Sequence, residues 1–353
     1  MKNFMIDISV DKKTCIGCTL CRRACPVNAI AITDRKAEIN RDNCISCGKC
    51  AVVCPTKAID FPSDYNKVDE MLKNNEKIFL LVAPSFVVHY GDMIEDLLLD
   101  WRSCGFDKIA EITYGAKLIT KKYQELIKEN AKPRYITSTC PVTFDFILKF
   151  EKDNIEAIAP VVSPMIAMGM ATRKYFPEHK VIFLGPCPAK IVEAREYDVI
   201  DAVLTFLEFD KLLKEHRGKI EVEKNEMNET FDNFYDNRSK IYPRSGGLSH
   251  IMIEHGILKE GEYVAKDGVL SIKELFEGPE GEYPPHIKFF DVLFCPGGCI
   301  GGPGLKSVLS IEEKMQYVDE YRRKTQESDK ELIKKFNFNL NDDFDLTPCF
   351  CKK

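Results

Sequence analysis

Beyond the first sixty residues, Cys140, Cys187, Cys295 and Cys299 each stand in a loop of small residues, directly after an apolar run that reads as a buried strand: YITSTCP, VIFLGPCPAK and DVLFCPGGCIGGPG. In open α/β sheets, ligands collect at the carboxyl ends of strands, so loops distant in sequence converge on one crevice. Taken together these cysteines read as one metal site. Four convergent thiolates suffice for an iron-sulfur cluster.

Eight more thiols form a duplicated pattern near the start. Cys15, Cys18, Cys21 and Cys25, followed by Pro26, spell C-x2-C-x2-C-x3-C-P, and Cys44, Cys47, Cys50 and Cys54, followed by Pro55, repeat it. In such a run three cysteines wrap one cubane and the fourth ligates the other. One 4Fe-4S cluster is therefore expected on Cys15, Cys18, Cys21 and Cys54, and the second on Cys44, Cys47, Cys50 and Cys25. Zinc also accepts four thiolates, but the duplication favours two cubanes. Between the repeats, AIAITDRKAEINRD reads as strand, turn and strand. The segment closely resembles a bacterial two-cluster ferredoxin, which implies an α+β ferredoxin-like domain over residues 1–62. So short a segment buries little surface, so its iron is expected to define its fold. Its expected role is an electron relay between a soluble carrier, such as ferredoxin, and residues 63–353.

The balance of the chain narrows the alternatives. A net charge of -5, with no arginine-rich run or basic block interleaved with aromatics, argues against nucleic acid as a partner. It leaves room for a small basic partner such as an electron carrier. MKNFMIDISVDKK contains no apolar signal segment, and no run of about 18 apolar residues occurs, so a cytoplasmic protein without membrane insertion is expected. Fifteen cysteines, an odd number in a long chain and mostly at cluster spacing, do not suit a disulfide framework.

From about residue 78 the periodicity becomes that of alternating strands and helices. IFLLVAPS, KIAEIT, RYITS, VIFLG and DVIDAVLTF read as strands; DMIEDLLLDWRSCG, YGAKLITKKYQELIKEN, VTFDFILKF and SPMIAMGMATRKYF read as helices. This pattern predicts an α/β domain of two lobes with mostly parallel sheets. EKNEMNETFDNFYDNRSK reads as a surface excursion. SGGLSHIMIEHG reads as a glycine turn opening a helix whose free N–H groups face a site. The tail from about Ser310 reads as a charged amphipathic helix.

TSTCP, GPCPAKIVEARE and CPGGCIGGPG also resemble, in order, the three signature loops of the iron-only (FeFe) hydrogenases. The ferredoxin pattern ahead of them matches an accessory domain common in that family. The resemblance covers nearly the whole chain and implies a compact FeFe-hydrogenase-like domain over residues 63–353 with a helical tail. It implies that Cys140, Cys187, Cys295 and Cys299 hold a cubane. Cys299 would bridge it to a diiron subcluster carrying CO, CN and a dithiolate, built by separate maturation proteins. It further implies that Lys190 donates to a cyanide, that Glu193 orients Lys190, and that Pro84 and Ser85 of the APS run contact the other cyanide. Ser163 and Pro164 resemble a wall of the cluster pocket.

Departures from the active enzymes are equally specific. Thr139 stands where they carry a proton-relaying cysteine, and a hydroxyl is a far weaker acid than a thiol. No carboxylate occurs from Ile112 through Gln124, which leaves Glu111 as the nearest substitute for their proton-escape acid. Gly185 and Met165 also replace pocket residues of the active enzymes. These features are similar to the divergent, sensory branch, which implies reversible H2 oxidation and proton reduction that is slow or H2-sensing. Partners would be H2, protons and the electron carrier, in an anaerobic setting. Two other classes use the same loops: a non-catalytic iron-sulfur scaffold or assembly protein, and a reductase lacking the diiron unit. Cys349 and Cys351 of the terminal TPCFCKK read as extra ligands, redox thiols or exposed cysteines, Cys104 as a small core residue, and His89 and His250 as packing residues.

Overall fold

The computed structural model describes residues 8–225, 228–232, 234, 236–277, 283–335 and 344–348. Near the N-terminus, β1 (Ser9–Val10), β2 (Ile30–Thr33), β3 (Lys36–Ile39) and β4 (Ile59–Asp60) form two antiparallel ladders, β1 with β4 and β2 with β3. Short helices Leu20–Ala24 and Lys49–Val52 lie within the two cysteine runs. Asp34 and Arg35, both at positive φ, make the tight turn between β2 and β3.

The remainder holds two parallel sheets. Strands β5 (Ile78–Val82), β6 (Lys108–Glu111), β8 (Lys180–Gly185) and β9 (Ala202–Thr205) lie in the order β6-β5-β8-β9. Strands β7 (Tyr135–Ile136), β10 (Tyr263–Asp267) and β11 (Phe289–Leu293) lie in the order β10-β11-β7. IFLLV of β5 and FFDVL of β11 are buried at every position, as parallel strands covered on both faces must be. Among the described residues no helix is long and apolar enough to cross a membrane.

Helix Thr113–Glu129 and helix Pro164–Tyr175 cross the larger sheet in close contact. Gly115 sets their separation: a Cβ there would lie 2.2 Å from the Pro164 carbonyl oxygen and 2.8 Å from the Met168 nitrogen. The segment that reads as a surface excursion is instead partly core. Phe231 and Phe234 join the main apolar cluster, because aromatic side chains embedded in a polar run still bury where a sheet edge receives them. Asp232 pairs at 2.7 Å with buried Arg102, whose other donors reach Asp107, Asn228 and Thr230 carbonyls.

The helix opened by the glycine turn, Gly247–Glu254, does not offer its N-terminus to a ligand. Buried Asp291 of β11 accepts from Ser249 N at 2.9 Å and Ser249 Oγ at 3.0 Å, tying that helix to the strand that leads to Cys295. The tail is two helices, Ile311–Lys324 and Gln326–Lys335, broken at Thr325. Tyr321 of the first packs edge-on to Phe86, just after the APS run.

Alanine at Gly115 would improve helix propensity by about 1 kcal/mol, whereas overpacking costs about 1–3 kcal/mol. At 2.2 Å from a backbone oxygen the steric term wins. Gly115→Ala is expected to lower the thermal midpoint of the protein, read by circular dichroism; an unchanged or raised midpoint would show that the helices part without cost.

Candidate metal centre

All four cysteines of the large domain stand beyond the carboxyl ends of parallel strands. Cys140 follows β7 and precedes helix Pro141–Phe150, Cys187 follows β8 from the other sheet, and Cys295 and Cys299 follow β11. The crevice therefore lies where the two sheets meet. The third loop turns sharply through Gly297 and Gly298, at φ +75° and +89°, and a Cβ on Gly298 would meet the Pro243 carbonyl at 2.6 Å. In the metal-free chain, burial and then the neighbouring thiols hold Cys187 and Cys295 well above the ordinary thiol range. Burial, then Cys140, pushes Cys299 up to about 12.

The eight N-terminal thiols gather as two sets. Cys54 lines one small cavity with Cys15, Cys18 and Cys21. Cys25 acts electrostatically on Cys44, Cys47 and Cys50, where burial is the larger influence and raises Cys47 to about 11 and Cys50 to about 12. This is the exchanged grouping expected from the spacing. Cys25 and Cys54 each accept a backbone N–H at 3.2 Å, from Ala29 and Ala58.

The spacing of these thiols bears on the choice of metal. Four thiolates on one tetrahedral zinc, at about 2.3 Å, lie only about 3.8 Å apart. Among the described residues, the one group of three or more ligand atoms all within 4.8 Å is Asp69, Glu215 and His216. Among the described residues no three cysteines form such a group.

The set of Cys25, Cys44, Cys47 and Cys50 abuts the large-domain crevice. Gly48, at φ +76°, leaves no room for a side chain: a Cβ would meet the Pro188 ring at 2.8 Å and the Pro303 ring at 3.4 Å. Val27, Ala29 and Ile45 share an apolar cluster with Val142, Phe146, Ala189, Ile272 and Phe294, and Cys25, Cys44, Cys47, Cys140 and Cys187 pack against it. Lys149 Nζ donates to the Cys44 carbonyl at 2.5 Å, and Lys49 lies over the Phe294 ring at 5.7 Å. Sequence reasoning missed this seam. The signal was present in the glycine and lysine placed between Cys47 and Cys50.

Polar groups cluster around the quartet. Lys190 Nζ donates to the Glu193 carboxylate at 2.6 Å and to the Thr139 carbonyl at 3.2 Å. Burial opposes the ammonium, but Glu193 and then the Cys187 and Cys299 thiols outweigh it and hold Lys190 above the usual lysine range. Buried Pro84 and Ser85 follow β5, and the carbonyl of Leu184, just before Gly185 and Pro186, accepts from Ala83 N at 2.9 Å. Ser85 and Ser163 both precede a helix yet make no side-chain cap, and neither buried hydroxyl finds a partner. An uncapped helix costs about 1 kcal/mol, and a buried hydroxyl without a partner about 1–3 kcal/mol. Two such serines near a crevice of thiols fit a bound group with acceptor ligands.

The remaining candidates separate cleanly. Glu111 is buried in an ion pair with Lys240 at 3.4 Å, so it is not an open acid. Cys104 is core, and its thiol points to the Asp100 carbonyl. His89 bridges Asp210 and the Lys306 N–H, whereas His250 pairs with Glu254 at the surface. Cys349 and Cys351 lie outside the described residues. Tyr123 was not foreseen: its hydroxyl accepts from Ser138 N and lies 2.9 Å from Ser138 Oγ, which fixes the approach to Thr139 and Cys140.

A family model described as iron only hydrogenase large subunit, C-terminal domain, matches residues 76–303, and one for a 4Fe-4S dicluster domain matches residues 8–62. No curated protein matches the chain. Among solved structures, a glutamate-to-alanine variant of FeFe-hydrogenase HydA1 from Chlamydomonas reinhardtii is similar at 16% identity and TM-score 0.54, covering 80% of this chain and 95% of that one. A HydA(deltaEFG) structure concerned with stepwise H-cluster assembly is similar at 17% identity and TM-score 0.51, covering 74% and 88%. At such identities the likeness is one of fold.

The metal-free large domain should lose stability with rising pH. Its buried thiols are held neutral, so their contribution is complete below the unfolded-state thiol value of about 8.5 and is lost toward the folded value of about 12 at Cys299. Urea unfolding of metal-free protein, followed through the single, buried Trp101, is expected to show a lower midpoint at pH 10 than at pH 8. Cys299→Ser should lessen that difference; equal midpoints at both pH values would contradict the assignment.

Proposed function

Because the chain belongs to the iron only hydrogenase family, we propose that it is an iron-sulfur oxidoreductase. Its reaction would be reversible H2 oxidation and proton reduction, at a slow or H2-sensing rate. The observation that carries this reading is the partly buried Lys190–Glu193 pair, set beside four gathered thiols, together with the unpartnered buried hydroxyls of Ser85 and Ser163. Glu193 already balances the charge of Lys190, but after Glu193 and the Thr139 carbonyl the ammonium keeps one further N–H to offer an acceptor beside the thiols.

In this reading Cys140, Cys187 and Cys295 would hold a cubane, and Cys299 would be the ligand it shares with a diiron subcluster. When bound, that subcluster supplies the centre at which H2 is split and formed. Lys190 would donate to one of its anionic ligands, with Glu193 keeping the ammonium charged and aimed, and Pro84 and Ser85 would line the site, the Ser85 hydroxyl donating to a second ligand. Thr139 lies at the proton-handling position but holds its proton too tightly for ready transfer. The sets Cys15, Cys18, Cys21, Cys54 and Cys25, Cys44, Cys47, Cys50 hold two cubanes that relay electrons. The second set supports this role because Gly48 brings its loop onto the Cys187 loop. The same continuity favours the oxidoreductase over an assembly scaffold, which has no use for a path between clusters. Maturation proteins and a soluble carrier are the implied partners, in an anaerobic cytoplasm.

Infrared spectroscopy of anaerobically matured protein tests the reading. CO and CN bands that shift under H2 are expected, and protein that takes up cubanes alone after maturation would overturn it. Thr139→Cys is expected to raise turnover about tenfold or more, since a positioned general acid contributes about 10²–10⁴-fold. Turnover and proton exchange left unchanged would remove Thr139 as the cause of slowness.

A further inference from the structure

We propose that the face of the N-terminal domain around Cys15, Cys18, Cys21 and Cys54 docks a small acidic electron carrier. It would be held by an arginine and lysine collar around an apolar patch. The inference rests on the relay reading above and adds the location and polarity of the partner.

Position comes first. The set of Cys25, Cys44, Cys47 and Cys50 packs against the large domain, whereas the cavity lined by Cys15, Cys18, Cys21 and Cys54 is walled by residues of the N-terminal domain, with Val192 the large-domain residue that reaches the apolar cluster around it. Cys18 is exposed. The first set is thus the outer end of the path, and a carrier must approach it there. Ile16, between two of these cysteines, is 65% exposed, Leu20 is 37% and Val52 is 62%. Ile16 lines the cavity with the thiols, and Leu20 and Val52 stand within two residues of Cys21, Cys50 and Cys54. Small apolar patches inside a polar rim mark transient protein contacts.

Charge identifies the partner. Residues 1–62 carry ten Lys and Arg against six Asp and Glu, a balance of +4 within a chain of net -5; residues 63–353 therefore carry -9. The overall negative charge conceals a domain of opposite sign. Arg22 and Arg23 flank Cys21 on its helix, and with Lys13, Arg35 and Lys57 they are exposed. None of these five forms an ion pair among the described residues, whereas Lys12 is paired with Glu38, and Asp11 is engaged by Lys13 N and Thr14 Oγ1. Unpaired cations at the rim raise the encounter rate with an acidic surface and lose that effect as salt screens them. A basic carrier would be repelled from this face, even though the charge of the whole chain favours it.

Stopped-flow reduction of the N-terminal clusters tests the proposal without requiring H2 turnover. The donors are a reduced acidic ferredoxin and dithionite, and reduced protein is separately mixed with cationic cytochrome c as acceptor. The ferredoxin rate constant is expected to fall about tenfold or more between 20 mM and 300 mM salt. The double substitution Arg22→Glu with Arg23→Glu should produce a similar fall at low salt, leaving reduction by dithionite and the cluster absorption unchanged. A double variant that reacts with ferredoxin at the wild-type rate overturns the docking face. So does faster exchange with cytochrome c than with ferredoxin at low salt. If infrared bands are absent but the salt and variant effects hold, the docking face stands and the hydrogenase reading falls. Without any reducible cubane in the N-terminal domain, both the relay and the docking face fall.

Discussion

Twelve thiols held at close quarters inside a folded chain are the constraint on which the rest of this structure depends. Burial first, and neighbouring thiols after it, raise Cys47, Cys50, Cys295 and Cys299 above the ordinary thiol range, and on the proposed reading iron would exchange such protons for bonds. The architecture supplies what that exchange requires. Two parallel sheets end at a common crevice, so rigid strands place the four loops of the large domain, and glycines let backbone come close where side chains would not fit. The N-terminal segment has no comparable scaffold, only short ladders and helices of four or five residues.

Much of this was legible in the sequence for identifiable reasons. Each large-domain cysteine follows a run of apolar residues long enough to be a strand, so the carboxyl-end rule located the crevice. The exchange of Cys25 and Cys54 between sets followed from repeat spacing. What was not legible depended on contacts between distant segments. Nothing local distinguishes Phe231 and Phe234 from other residues in a polar stretch; the sheet edge that buries them lies far away in sequence. Asp291 likewise reads as an ordinary strand residue until Ser249 caps onto it. Gly48 and Lys49 look like filler between ligands, and only the arrival of Pro188, Pro303 and Phe294 gives them a role.

The pocket beside the quartet shows stability given up for preorganisation. Ser85 and Ser163 sit where serine ordinarily caps a helix, yet their hydroxyls are buried and left without a partner. Lys190 is buried together with its countercharge. These choices are costly in the empty fold and useful only when a polar group is received, the pattern expected of a binding site rather than a core. Thr139 shows the opposite economy. It preserves the backbone contact to Lys190 while leaving out a readily ionised side chain.

The shared apolar cluster at Ile45, Ala189 and Phe294 has a consequence for biosynthesis. One side of that cluster belongs to the short N-terminal segment that carries the cysteine runs, and the other packs against the Cys140 and Cys187 loops. On the proposed reading, cofactor insertion would be ordered, because cubanes held by the N-terminal runs would fix the segment that completes the wall of the large-domain crevice.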